Sequence, residues 1–376
     1  MDNSLKQFII GAAIVCLATT AGYIIAPIEV RFISSLTTST TLIGTTYAIG
    51  ALFFALLSIW LGRMSDRIGR DKFMVLGCTL GILYPLLYAS TYNVFQYMGV
   101  KFIWAFSAVA TGPIFMAYLH DILKNLKKKG HYIGILYSVQ SILGAGAQFI
   151  SGYLSDTFGL SIPYIAMSLI FVLATIISLK EIGFKTPIHE AEKDDSKRDM
   201  FFGLRYILKR PALNFYFFHN TAFSLNWGIK VMLWPLIIFG ITQRDIMTGS
   251  VFATMGIVAF FILLVAGKFV DRTGPFISAM ISLIILGTCG LFLVFTQNIH
   301  IFWLFAALYA VGEALNGPAQ GVLLTENIES KYRGEVLGLD AVFDSSLAMI
   351  SPFIAGVLLN FWNPQTVLFL YISIFW

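Results

Sequence analysis

GRMSDRIGRDK, residues 62 to 72, is a short polar turn set between two long apolar runs. A second copy, GKFVDRTG, begins at Gly267 in the same kind of setting. Both read G-x-x-x-D-R-x-G: Gly62, Asp66, Arg67 and Gly69 in the first, Gly267, Asp271, Arg272 and Gly274 in the second, 205 residues apart. A polar turn repeated at that interval in a greasy chain predicts two related membrane bundles.

Composition supports a membrane chain. Residues are 57% hydrophobic and 12% charged, and mean hydropathy is +0.79, against roughly 25% charged in a soluble domain. A helix needs about 20 apolar residues to cross a bilayer. Such spans are predicted near 8–30, 42–61, 73–91, 97–119, 133–155, 162–179, 212–238, 249–270, 276–295, 300–322 and 336–359. A twelfth begins near Pro364 and stops at Trp376, 13 residues on, which reads as a truncated last helix. The predicted fold is therefore an all-α membrane protein of two six-helix bundles, residues 1–180 and 212–376, with a cytoplasmic linker at 181–211. The first run is long for a removable signal peptide and shows no small-residue cleavage site.

Basic residues give an orientation. With a cytoplasmic N-terminus, alternate loops hold 21 of the 25 Lys and Arg residues, as the positive-inside rule requires. Arg63, Arg67, Arg70 and Lys72 share one such loop, Lys124 and Lys127 to Lys129 another, and eight more lie from Lys180 to Arg210. Outside remain Arg31 and Arg244, while Lys101 and Lys230 fall within spans. This bias and anionic lipid account for the net charge of +5 without nucleic acid. The expected location is the plasma or inner membrane. Cys16, Cys78 and Cys289 lie far apart in spans and carry no metal or redox spacing, so no cofactor is expected.

The repeat extends past the opening turn. Gly112-Pro113 matches Gly317-Pro318, and Asp121 matches Glu326, at the same offset; Gly130, Gly134 and Gly152 match Gly334, Gly338 and Gly356 one residue closer. On this ordered set and the duplicated G-x-x-x-D-R-x-G turn, the chain resembles the major facilitator superfamily of transporters. Arg70 continues the family pattern, while Asp71 stands where a second basic residue is usual and Lys72 follows it. Gly62 and Gly69 suit close helix approach and a tight turn. The resemblance implies that Asp66 meets the start of span 11, near Gly334 and Glu335, and closes the cytoplasmic side in the outward-facing state. It also implies a central cavity lined by spans 1, 2, 4, 5, 7, 8, 10 and 11.

Ionisable side chains inside a span cost about 2.5–3.5 kcal/mol on insertion scales and mark transport pathways and proton relays. Glu313 lies at the centre of span 10 and is the first candidate for a proton-carrying or cation-binding carboxylate, or for a helix-holding partner of Asn316 or Lys230. Asp344 lies near the middle of span 11, with Gln140 as its repeat partner in span 5; Asp340, a turn away, reads as a solvated entrance residue. Lys230 lies outward of the centre of span 7. Lys101 on span 4 reads either as a relay, where proton-coupled members carry a basic residue, or as a residue snorkelling to the interface; Ala105 replaces the glycine that follows in those members. All four charges fall on the implied cavity spans.

Span 7 adds His219, Asn220, Ser224 and Asn226, with His219 expected as a satisfied core residue. Tyr23, Trp104, Trp227 and Trp234 are candidate aromatic walls. The stretch KEIGFKTP after span 6 lacks the sugar-porter Pro-Glu-Ser, and ILGAGAQFISG in span 5 lacks the proline of the drug/proton antiporter signature, although Gly144 and Gly146 suit close packing, as against span 8. Pro27 and the buried carboxylates fit an efflux-type antiporter. Three readings follow: proton-coupled export of small amphipathic or cationic compounds, import of a small metabolite (an anion if the lysines bind it), and a non-transporting receptor or partner subunit. The expected partners are the cargo, protons and the bilayer, with the chain a monomer. No nucleophile–base pair, metal cluster or phosphate loop points to an enzyme.

Overall fold

The computed structural model describes residues 3–123, 129–182, 207, 209–328 and 333–375. The basic run at 124–128 and nearly all of the linker lie outside the described residues. Among the described residues every regular element is helical, as lipid demands, because a helix satisfies its own backbone donors and acceptors. Ten helices among these residues are long and apolar enough to cross a membrane.

Span 1 is Asn3–Ile25, followed by a short helix Glu29–Leu36. Spans 2 and 3 are Thr40–Ile68 and Arg70–Ala89. Span 4 is broken into Val94–Thr111 and Pro113–Leu123. Spans 5 and 6 are Lys129–Phe158 and Ile162–Ile177, the latter ending in a π turn, Ser178–Ile182. Spans 7 to 10 are Pro211–Thr242, Asp245–Thr273, Pro275–Phe295 and Ile299–Glu326. Arg333–Leu358 is span 11, and Pro364–Ile372 is the short twelfth helix.

The ends of these helices follow a rule of side. On the side away from the basic loops, Ser39, Asn93, Asn298 and Asn363 each accept a backbone N–H from the first turn of spans 2, 4, 10 and 12. These are ordinary N-cap residues. On the basic side, spans 2 and 3 meet at Gly69 (φ 109°) and spans 8 and 9 at Gly274 (φ 85°). Both copies of the repeated turn therefore end in a glycine at a backbone angle that L side chains rarely adopt. The other glycine of each copy plays no such part: a Cβ on Gly62 or Gly267 would meet nothing within 4 Å. Among the described residues, the close helix approach expected at Gly62 is not found. The second repeat is also unequal, since Gly112-Pro113 interrupts span 4 whereas Gly317-Pro318 lies inside an unbroken span 10.

Among the described residues, the halves pack together at the end away from the basic loops. Spans 5 and 8, and spans 2 and 11, pack closely on the side away from the basic loops. A Cβ on Gly152 would lie 2.6 Å from the carbonyl oxygen of Asp245, and one on Gly356 2.5 Å from that of Thr40. Their counterparts Gly249 and Gly44 abut Gln148 O and Pro352 O. Small residues at these crossings let backbones touch. Span 5 therefore meets span 8 through Gly152, with Ala145 against Gly256; Gly144 faces the Tyr23 ring of span 1, and Gly146 faces open space.

The apolar core repeats this asymmetry. One cluster runs through both halves near the sealed end, from Ile28, Phe32 and Tyr164 to Trp234, Phe302 and Tyr371. On the basic side the core splits. Phe8, Met74, Phe115 and Leu119 belong to one cluster, Leu213, Val270, Ala279 and Leu323 to another. Among the described residues the core is thus shared at one end and divided between the halves at the other.

Candidate functional site

Two adjoining cavities lie inward of the sealed crossings. The larger, about 430 Å³, is lined by Glu29, Tyr47, Phe54, Lys101, Trp104, Trp227 and Asp344, among others. The smaller, about 170 Å³, holds Tyr23, Gln148, Lys230, Met255 and Glu313, and shares Trp227 and Val231 with the first. Their lining residues come from spans 1, 2, 4, 5, 7, 8, 10 and 11, with Ala26 and Glu29 added by the turn and short helix that follow span 1. Bigger hollows, an apolar groove between spans 1 and 5 and an open one at the turn between spans 9 and 10, hold no carboxylate or ammonium.

Each half contributes one buried ion pair: spans 7 and 10 in the second, and span 4 with the short helix after span 1 in the first. In the second half Lys230 Nζ donates to Glu313 Oε1. In the first, Lys101 Nζ donates to Glu29 Oε1 at 2.5 Å. The roles are exchanged: the base is on span 7 in one pair and on span 4 in the other. In both the lysine is behind and the carboxylate in front, with side chains 4% and 5% exposed for Lys101 and Lys230 against 15% and 16% for Glu29 and Glu313. Aromatic rings enclose the ammonium groups. Lys101 Nζ lies 4.8 Å from the Trp104 ring centre and 5.4 Å from that of Tyr47. Lys230 Nζ lies 4.1 Å from that of Trp227. Ring faces attract cations, which offsets part of the desolvation cost of a buried ammonium. Lys101 does not snorkel; Glu29 holds it inside.

Asp344 stands apart from these pairs. It accepts from Asn220 Nδ2 at 2.7 Å and Ser224 Oγ at 3.0 Å, and no basic side chain among the described residues pairs with it. Asp340, expected as a solvated entrance residue, is half-buried and held by the Tyr216 hydroxyl at 3.0 Å and by Asn220. The polar face of span 7 thus serves the two carboxylates of span 11. Three carboxylates, Glu29, Glu313 and Asp344, and two lysines, each paired with a glutamate and set against the aromatic walls, line the cavities.

Other candidates lie elsewhere. Asn226 turns away, donating to the backbone oxygens of Tyr371 and Ala222 at 3.0 Å each. Gln140 donates to Thr19 Oγ1 at 3.1 Å, tying span 5 to span 1, and lines neither cavity. His219 is the satisfied core residue expected: Gln320 Nε2 lies 2.8 Å from its Nδ1, and its Nε2 lies 3.2 Å from Ala279 O. Trp234 is 1% exposed within the core, packed edge-on to Phe302 and Tyr309, and is not a cavity wall. Asn316 does not hold Glu313; Lys230 does.

In the repeated turn, Arg70 pairs with Asp121 at 2.5 Å within its own half, while Arg67, Asp271 and Arg272 are exposed. The side chains of Asp66, Gly334 and Glu335 lie outside the described residues. At the sealed end a polar network that sequence reading missed bridges the halves. Arg31 Nε donates to Asp245 Oδ1 at 3.3 Å and stacks on Phe239, while Ser155 donates to Asp245 Oδ2 at 2.8 Å. Asp156 accepts the backbone N–H groups of Asp245 and Ile246 at 2.7 and 3.1 Å, so a residue of span 5 caps span 8. Glu29 was missed as well. It is the first residue of the short helix after span 1, and its partner is 72 residues away.

Comparison with known proteins gives a consistent picture. The family model described as Major Facilitator Superfamily matches residues 10–352. An uncharacterized MFS-type transporter of Methanocaldococcus jannaschii is 27% identical, over 90% of this chain and 86% of its own length. Multidrug resistance protein 2 of Bacillus subtilis is 26% identical, over 90% and 84%. Among solved structures, the nucleoside transporter NupG superposes with a TM-score of 0.78 at 13% identity, covering 97% of both chains. A bacterial homolog of the human lysosomal transporter Spinster, inward-facing and unoccupied, gives 0.77 at 12%, over 100% of this chain and 95% of that one.

Proposed function

The chain belongs to the Major Facilitator Superfamily and is a multi-pass membrane transporter rather than an enzyme; from that premise we propose that it exports small amphipathic cations in exchange for protons. The observation that carries this reading is the cavity's charge. Glu29, Glu313 and Asp344 line it, each lysine there is paired with a more exposed glutamate, and Asp344 has no basic partner among the described residues, which leaves one carboxylate in excess. Trp104, Trp227, Tyr47 and Phe54 supply apolar and ring faces that suit an aromatic or alkyl ammonium. The volume, about 430 Å³, falls in the range of small-molecule sites. The name of the Bacillus relative supports export.

Import of an anion drew its support from Lys101 and Lys230. With both neutralised by glutamates, an anion would meet carboxylates first. A receptor or partner-subunit role would call for a filled cavity, and two open ones are present.

The mechanism is alternating access, with the halves rocking about a site near the midplane. The test uses proteoliposomes with an acidic interior and a trapped pH dye. Ethidium added outside accumulates as the interior becomes alkaline in the wild type, and the Glu313→Gln variant shows neither change. Accumulation with acid outside instead would make the protein a symporter. Ethidium uptake with no proton movement would remove the coupling.

A further inference from the structure

The proton exchanged for cargo has to be stored on some group, and the geometry of the second ion pair narrows the choice. Glu313 accepts from Lys230 through Oε1, lines the smaller cavity, and is the more exposed member of the pair, 16% against 5%. A cation can be held there only by an ionised carboxylate. Without cargo that carboxylate is already neutralised by Lys230 behind it. In neither state does Glu313 need the proton.

We infer that Lys230 is the proton carrier: an organic cation seated on Glu313 displaces a proton from the ammonium behind it. This rests on the coupled-export reading above and assigns its proton. The balance is simple. An N–H bond of Lys230 breaks, the nitrogen keeps the electron pair, and the proton passes to cavity water on the side from which cargo enters. Lysine cation plus carboxylate becomes neutral lysine, carboxylate and bound cation, so the site's charge is zero throughout. When cargo leaves on the other side, the amine takes a proton from that solution and the pair re-forms.

The surroundings single out this pair. The other groups facing it are Tyr309 on span 10, Trp227 and Trp234 on span 7, and Tyr23 on span 1, with Cys289 of span 9 beside Tyr309. These are indoles, phenols and a thiol, uncharged near neutral pH by their ordinary values. Glu29 differs, because the hydroxyl of Tyr97 also donates to the oxygen that holds Lys101, at 3.0 Å. That carboxylate is pinned from two sides and its pair is structural.

The test is proton release on binding, read with a pH indicator in weakly buffered nanodiscs and ethidium as the probe. Wild type releases a proton for each ethidium bound. Lys230→Arg, whose guanidinium does not deprotonate in proteins, releases none and binds ethidium more weakly, because the second positive charge stays in the site. Lys230→Met/Glu313→Gln, which removes both charges and leaves no unpaired ion, also releases none. Undiminished release from either folded variant overturns the assignment and moves the proton to another group, Asp344 first. A wild-type infrared difference spectrum that loses a carboxylic-acid C=O band on binding does the same. A wild type that binds without releasing protons removes coupled export itself, and the assignment with it.

Discussion

Asp344 differs from the other cavity carboxylates in having hydroxyl and amide donors around it but no cation. It is therefore the acid best placed to give its charge to cargo. Replacing it by Asn keeps the shape and the contact with Ser224 while removing that charge. Hydrogen bonds to charged groups are worth about 1.5–3 kcal/mol, so Asp344→Asn is expected to weaken ethidium binding by about 10- to 100-fold, as measured by fluorescence titration, while leaving an uncharged analogue almost unaffected. Equal loss for both ligands would show that Asp344 holds span 7 rather than cargo. At this scale much was legible in the sequence. Glu313, Asp344, Lys101 and Lys230 stand out because a charge in an apolar run needs a reason. What could not be read was pairing. Which lysine meets which glutamate depends on which helix faces touch, and nothing local in the sequence marks Glu29 as the partner of Lys101.

Helix ends show the same division between local and long-range information. The two glycines that close the repeated turns, Gly69 and Gly274, are determined locally, because the chain reverses there with positive φ. Gly274→Ala is expected to cost about 1–3 kcal/mol and to lower the midpoint of thermal unfolding in detergent. Gly267→Ala, in open space within a helix, is expected to be neutral or slightly stabilising, since alanine is the better helix former by about 1 kcal/mol. A Gly267 variant as damaged as Gly274→Ala would mean that this glycine is packed in some other state of the cycle. The glycines of the sealed crossings are another matter. Gly152 and Gly356 appeared in the sequence as a matched pair, yet each finds its contact in the opposite half, on Gly249 and Gly44. Repeat matching relates equivalent positions; it does not tell which positions meet.

At the scale of the whole molecule, the closed end is held by contacts that must break in every cycle. Asp156 belongs to span 5 but satisfies two backbone donors at the start of span 8, whose own N-cap, Arg244, provides no side-chain cap. Opening this end strands those donors until water reaches them, so the cap stabilises the closed state alone. Loss of an N-cap side chain costs about 0.5–2 kcal/mol. Asp156→Ala is accordingly expected to shift the population toward the open state by about 2- to 30-fold, since each 1.4 kcal/mol is a factor of ten. A spin-label pair on the exposed residues Tyr92 and Phe361, near the starts of spans 4 and 12 on that side, would report this as growth of a longer-distance component. Asp245→Asn, which weakens the ion pair with Arg31, should act in the same direction. Transport need not follow stability. A carrier turns over fastest when its two states are near balance, so the same variant raises turnover if the closed end is the resting state and lowers it if opening is already easy. An unchanged distance distribution in both variants would mean that the apolar cluster shared by the halves, from Phe32 to Trp234, holds the seal without help from the polar network.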